Sequence, residues 1–219
     1  MWWDTNNTYI WLFNTGRGLS VIIRLPHNVG IIYDLGCSDE FSPIDFLTKN
    51  IIPHLTEYQE YKNNKIGQLI LSHPHLDHIQ EIDSFLEIEN DKPAIYPGLV
   101  TCPNDKEEGE LKIKMSRILR DDNKDLIEKY KKIYESRTPP LQTMVGLTSP
   151  YPAENVEYGI YYLNPARVEE LHQDNNHAYV NGLSIILYLR HGNQSILIPG
   201  DITPEVFSEI IDGGKNVQK

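Results

Sequence analysis

Three histidines and an aspartate fall within six consecutive positions, His73-Pro74-His75-Leu76-Asp77-His78, directly behind the apolar run Leu69-Ile70-Leu71. The cluster thus sits at the C-terminal end of a buried strand. Imidazole is the commonest ligand for zinc and related ions, and carboxylate suits harder ions such as manganese. Alternation along an extended segment points His73 and His75 the same way. A turn into a helix near Asp77 then swings Asp77 and His78 towards a second position. The spacing thus suggests two metals, one on His73 and His75, the other on Asp77 and His78. A lone histidine is usually a surface or satisfied core residue, but four potential ligands in six positions is a far rarer pattern.

Length and composition set the frame for that motif. The chain has 219 residues, 40 % hydrophobic and 23 % charged, which fits one domain over 1–219 with an embellishment and excludes disorder or collagen-like repeats. No apolar stretch is long enough for a membrane span, and residues 1–13 read as mature structure, not a signal peptide. The net charge of −11 makes the chain a poor non-specific ligand for a long nucleic acid. It leaves open a phosphate-bearing substrate held through metal ions, because bound cations reset the local charge. Cys37 and Cys102 form no CxxC pair, so neither a zinc ribbon nor a disulfide framework is expected, and a cytoplasmic setting is the default.

The first third reads as a β-meander over residues 9–13, 19–25 and 30–34, punctuated by Gly16, Gly18 and the Pro26-His27-Asn28 turn. Ser42-Pro43 predicts a capped helix over about 43–50, and a buried strand follows at 68–72. Residues 105–137 are charge-dense. Ile113, Ile118, Leu119, Leu126, Ile127, Tyr130 and Ile133 recur there at helical spacing, so one or two amphipathic helices are expected. With the proline-bearing loop 138–152, they form a helical insertion at about 105–152, either a solvated embellishment or a cap over a site. Strands return at 158–163, 183–189 and 194–199, with a hairpin turn at His191-Gly192-Asn193 and a helix from Thr203-Pro204-Glu205.

Two more strand ends carry aspartate. Ser195-Ile196-Leu197-Ile198-Pro199-Gly200-Asp201 ends in Gly-Asp, and the carboxylate of Asp201 can bridge two cations. Tyr33-Asp34-Leu35-Gly36 ends in Asp-x-Gly; Asp34 is either a turn residue or the acceptor that fixes a ligand histidine's tautomer.

The HxHxDH pattern of His73, His75, Asp77 and His78 resembles the signature of the metallo-β-lactamase fold superfamily, with Asp34 and Asp201 in that family's order. Residues 13–20 and 181–187 are similar to the hydrolase domain of ComEC-like DNA-uptake proteins and their soluble relatives. The resemblance implies an α/β (α+β) fold, the four-layer αββα sandwich, with metals at one rim. It implies a metallo-hydrolase in which two divalent ions, zinc first among candidates and manganese or iron after it, activate a water. Asp77 would orient that water and accept its proton, and Asp201 would bridge. The family places a histidine shortly before the Gly-Asp strand. His177 is preferred over His172, and Asn181 stays a competitor for that position. The family also expects a later histidine, but none follows His191. The expectation is therefore a chain cut short before its last histidine motif, with a sandwich incomplete at the C-terminus.

Within the resemblance, phosphodiester hydrolysis of a small or single-stranded phosphate-containing substrate is favoured, on nucleic acid or nucleotide. Tyrosines over 158–162 offer stacking surfaces or are simply core. The alternatives are a hydrolase of lactone, thioester or β-lactam, since fold does not decide substrate, and a degenerate binding module.

Overall fold

The computed structural model describes residues 4, 6–55, 66–86, 95, 97–103, 105, 112–122, 125–137, 155–212 and 217–218. The proline-bearing stretch 138–152 and the polar segment near Tyr61 lie outside them. The chain divides into two units, the first formed by Met1–Leu71, Leu76–Thr101 and Glu128–Pro139, the second by Ser72–His75, Cys102–Ile127 and Pro140–Lys219.

In the first unit the apolar runs become a five-stranded mixed sheet of order β1-β2-β3-β4-β5. Strands β1 (Tyr9–Leu12), β2 (Val21–Leu25) and β3 (Val29–Tyr33) form the expected antiparallel meander. Strand β4 (Ile66–Ile70) joins β3 in parallel, and β5 (Pro97–Thr101) joins β4 in parallel. Every residue of β2 and β4 is buried, Arg24 and Gln68 included, so neither strand alternates apolar with exposed polar positions. The β2–β3 turn places His27 and Asn28 at φ 62° and 65°, the left-handed pair that a tight hairpin requires. Arg24, also buried, hydrogen-bonds Asn28 through its guanidinium and lies 5.2 Å from the Tyr9 ring centroid.

Ser42 caps α1 (Pro43–Phe46), its hydroxyl accepting from Asp45 N–H at 2.9 Å. The helix then widens into a π turn over Leu47–Ile51 and tightens to 3-10 over Ile52–His54, where Pro53 cannot continue the ladder. Helix α2 (Leu76–Ile79) is a single turn directly behind the histidines.

The charge-dense region forms two helices, α3 (Ile113–Asp122) and α4 (Leu126–Arg137), with Met115, Ile118, Leu119, Leu126, Ile127, Tyr130 and Ile133 buried. Helix α3 belongs to the second unit and α4, from Glu128 on, to the first, where Lys129 Nζ meets Asp83 at 2.8 Å.

The second unit holds an antiparallel sheet of order β8-β7-β6-β9, built from β6 (Val156–Leu163), β7 (Ile186–His191), β8 (Gln194–Ile198) and the short β9 (Val217–Gln218). Gly192 and Asn193 close the β7–β8 hairpin, with Gly192 at φ +59°. Helices α5 (Pro165–Leu171), α6 (Asn176–Gly182) and α7 (Pro204–Ile211) accompany it. The strand expected from residue 183 starts at Ile186, because Leu183 closes α6. Strand β5 and helices α5 and α6 were not anticipated. Both helices are only seven residues long, too short for periodicity to show, although Asn164 and Asn175 cap them through their side chains. The fold class is mixed α/β with two sheets and flanking helices. Among the described residues no helix is long and apolar enough to cross a membrane.

Candidate metal centre

In the first unit, strand β3 delivers Asp34 to a strand end at φ +59°, a left-handed conformation that aspartate tolerates better than most residues. Backbone bonds hold it there. Asp34 N–H donates to Ile70 O at 2.8 Å, and Leu35 N–H donates to His78 O at 2.7 Å. The Asp34 carboxylate lies 2.8 Å from His78 Nδ1, and both side chains are buried. A ring that donates Nδ1–H to a buried carboxylate presents Nε2 as the nitrogen a metal takes.

Asp77 is located by its backbone. A Cβ on Gly36 would stand 2.6 Å from Asp77 O and 2.8 Å from Leu19 O, and a Cβ on Gly18 would overlap Asp77 O. Both glycines are required by this close approach. In sequence Gly18 read only as a strand separator and Gly36 as the end of a turn; nothing there signalled their neighbour. Nearby, the Glu81 carboxylate accepts from the Ser42 hydroxyl and from Ile44 N–H, and burial pushes its pKa up.

In the second unit, Ser72–His75 is joined to the segment before β7 by a bond from Ile185 N–H to Ser72 O at 3.0 Å. His73 is buried, its Nδ1 2.9 Å from Ser72 Oγ and 3.4 Å from Ser184 Oγ, which leaves Nε2 as the nitrogen a metal would take. The His73 and His75 rings sit edge to face with centroids 4.8 Å apart, consistent with alternation along an extended segment. His177, on α6, stacks on His75 at 5.2 Å. Gly200 at φ +60° turns the chain after β8 into Asp201, and ligand atoms of Asp201 and His73 lie within 4.8 Å of one another.

The two competitors for the position before the Gly-Asp strand are one turn apart on α6. His177 is exposed, while Asn181 Oδ1 is buried with no hydrogen-bond partner among the described residues. His172 is occupied elsewhere, its Nε2 2.8 Å from Thr203 Oγ1.

Imidazoles with a carboxylate suit zinc, manganese or iron. Two ligands of one ion, each about 2.0–2.2 Å from it, stand at most about 4.4 Å apart. The His73–Asp201 separation is of that order, and the donor set of the second unit fits a divalent metal.

The family model of the metallo-beta-lactamase superfamily matches residues 14–162. The chain belongs to the metallo-beta-lactamase superfamily. Membership implies a metal-dependent hydrolase, since this superfamily consists mostly of hydrolytic metalloenzymes that bind divalent ions. The matched stretch contains Asp34 and the whole metallo-beta-lactamase histidine run, whereas His177 and Asp201 lie beyond it. A search of the curated proteins finds no match.

Proposed function

We propose that the chain is a phosphodiesterase that uses two divalent ions, zinc first among them, on a small or single-stranded phosphate-containing substrate. The observation that carries the metal-dependent part is the approach of ligand atoms of His73 and Asp201 to within 4.8 Å, with the His75 ring against His73 and the His177 ring stacked on His75. His73, His75 and His177 would supply the nitrogen ligands of one ion, Asp77 and His78, the rest of the same run, would hold the other, and Asp201 would be a carboxylate ligand. When bound, the ions supply positive charge that polarises a phosphoryl oxygen and acidifies water. The Asp77 carboxylate orients the attacking water and takes its proton. Asp34 keeps the His78 ring in one tautomer, and Ser72 and Ser184 do the same for His73.

The choice of phosphodiester is favoured by the resemblance of residues 13–20 and 181–187 to ComEC-like hydrolase domains. The net charge of −11 favours a short or single-stranded substrate over a long duplex. Cys37 and Cys102, which form no CxxC pair in the sequence, suit a reducing compartment such as the cytoplasm. Turnover of bis-p-nitrophenyl phosphate, measured beside nitrocefin and a thioester on metal-loaded protein, tests the proposal. Phosphodiester turnover lost in Asp77→Ala supports it. Turnover of nitrocefin or the thioester alone overturns the phosphodiester assignment and keeps the metallo-hydrolase.

A further inference from the structure

Helix α6 carries His177 on an exposed face, so little packs around the imidazole itself. The ring's position over His75 is inherited from the helix, and the helix is held from its other side. Tyr179, fully buried there, donates its hydroxyl to Asp105 Oδ2 at 2.8 Å. Asp105 is buried too, and its second oxygen accepts from Lys112 N–H at 3.2 Å.

Two residues beyond Lys112, in the first turn of α3, Lys114 reaches back over the same ground. Its Nζ donates to His172 O at 3.2 Å and Gln173 O at 2.7 Å, the end of α5 and the start of the loop into α6. The same ammonium stands 5.1 Å from the Tyr179 ring centroid. Lys112 Nζ meets Glu169 of α5 at 2.6 Å. The charge-dense region, which read in sequence as embellishment or cap, therefore ties down both α5 and α6.

We infer that Asp105 and Tyr179 are positioning residues that set where α6 holds His177 and so tune metal affinity from outside the metal centre. The inference rests on His177 being a metal ligand, as proposed above. A buried carboxylate is costly unless fully hydrogen-bonded. A purely structural contact between a loop and a helix has no need of one, whereas a ligand helix gains from a fixed, directional anchor. Tyr179 lies two residues from His177, so a loosened tyrosine is felt within the same turn.

The test is cobalt(II) titration of the full chain. Affinity is read by competition with a chromogenic chelator and geometry from the cobalt d–d bands. Wild type is compared with Tyr179→Phe, Asp105→Ala and His177→Ala, and with Arg167→Ala as a control that removes the Arg167–Glu209 ion pair between α5 and α7. Tyr179→Phe removes one hydroxyl and keeps the ring, so it guards against a variant that fails to fold. The expected result is a loss of about tenfold in affinity in Tyr179→Phe and Asp105→Ala, the scale of outer-sphere substitutions. Their d–d bands shift, and His177→Ala loses more. Arg167→Ala, whatever its melting temperature, keeps wild-type affinity and spectrum. If His177→Ala weakens cobalt binding while Tyr179→Phe and Asp105→Ala match wild type, the positioning role is overturned and the ligand assignment stands. If His177→Ala binds cobalt like wild type, the ligand assignment falls and this inference with it.

Discussion

The two units hold their chemistry-bearing residues by different means. In the first, Asp34 and His78 are buried and stitched by backbone bonds, Asp34 N–H to Ile70 O and Leu35 N–H to His78 O, while glycines crowd the carbonyl of Asp77. In the second, His73 is buried between two hydroxyls, but His177 and Asp201 are exposed and depend on a short helix and a glycine turn. Backbone-held groups change position only if strands or turns do. Side-chain-held groups on a short helix can be retuned by substitutions in whatever that helix leans on. The difference teaches that the first unit should fail all at once and the second by degrees.

The sharpest contrast comes from Asp77→Ala. Phosphodiester turnover is expected to fall by about 10²–10⁴-fold, the range for losing a positioned general base. Elemental mass spectrometry on the same sample shows whether metal is lost with it. Near-normal turnover in that variant would remove Asp77 from the chemistry.

Next in size is Asp34→Ala. It takes away the carboxylate that His78 Nδ1–H donates to inside the core. Metal affinity should drop by about 10–100-fold, and thermal stability should fall with it, because a buried donor loses its acceptor. Ser184→Ala, whose hydroxyl is the longer of the two contacts to His73 at 3.4 Å, should lose far less. Equal effects in these two variants would erase the contrast between the units.

Gly36→Ala probes the backbone-held side without touching a titratable group. The added methyl meets Asp77 O and Leu19 O, and the expected cost is about 1–3 kcal/mol by urea unfolding. A variant as stable as wild type would mean that the α2 turn can shift freely.

The smallest effect concerns pH. Burial, its largest cause, raises the Asp105 pKa above the usual aspartate range, against the lowering effect of the Tyr179 and Lys112 bonds. A carboxyl with a raised folded-state pKa binds its proton more tightly in the folded protein than in the unfolded chain. Its contribution therefore favours the folded state at low pH. That contribution is lost as pH rises from the unfolded value through the raised one, and is level above it. Melting temperatures across that acidic window should decline less with rising pH in Asp105→Asn than in wild type. Identical slopes would show that Asp105 titrates normally.

Much of this was legible in one dimension. The meander, the capped helix at Ser42-Pro43, the two helices of the charge-dense region and the hairpin at Gly192 each carry local signals: alternating or continuous apolar runs, a cap, a helical period, a turn glycine. Strand β5 escaped because Pro97-Gly98 opens it with two residues that normally argue against a strand. Helices α5 and α6 escaped because two turns of helix hold too few apolar residues to display a period.

The sequence by itself determined the candidate ligands: His73, His75, Asp77 and His78 are dense enough in a short run that chemistry, not packing, is their simplest reason. It also placed Asp34 and Asp201 at strand ends. Only the tertiary structure decided that Asp34 faces His78, that His177 stacks on His75 while His172 turns to Thr203, and that Gly36 is present for the carbonyl of Asp77. Residue type and spacing constrain what a side chain can bind. Which neighbour it meets across thirty or more residues depends on how strands register and helices lean, and no local pattern encodes that.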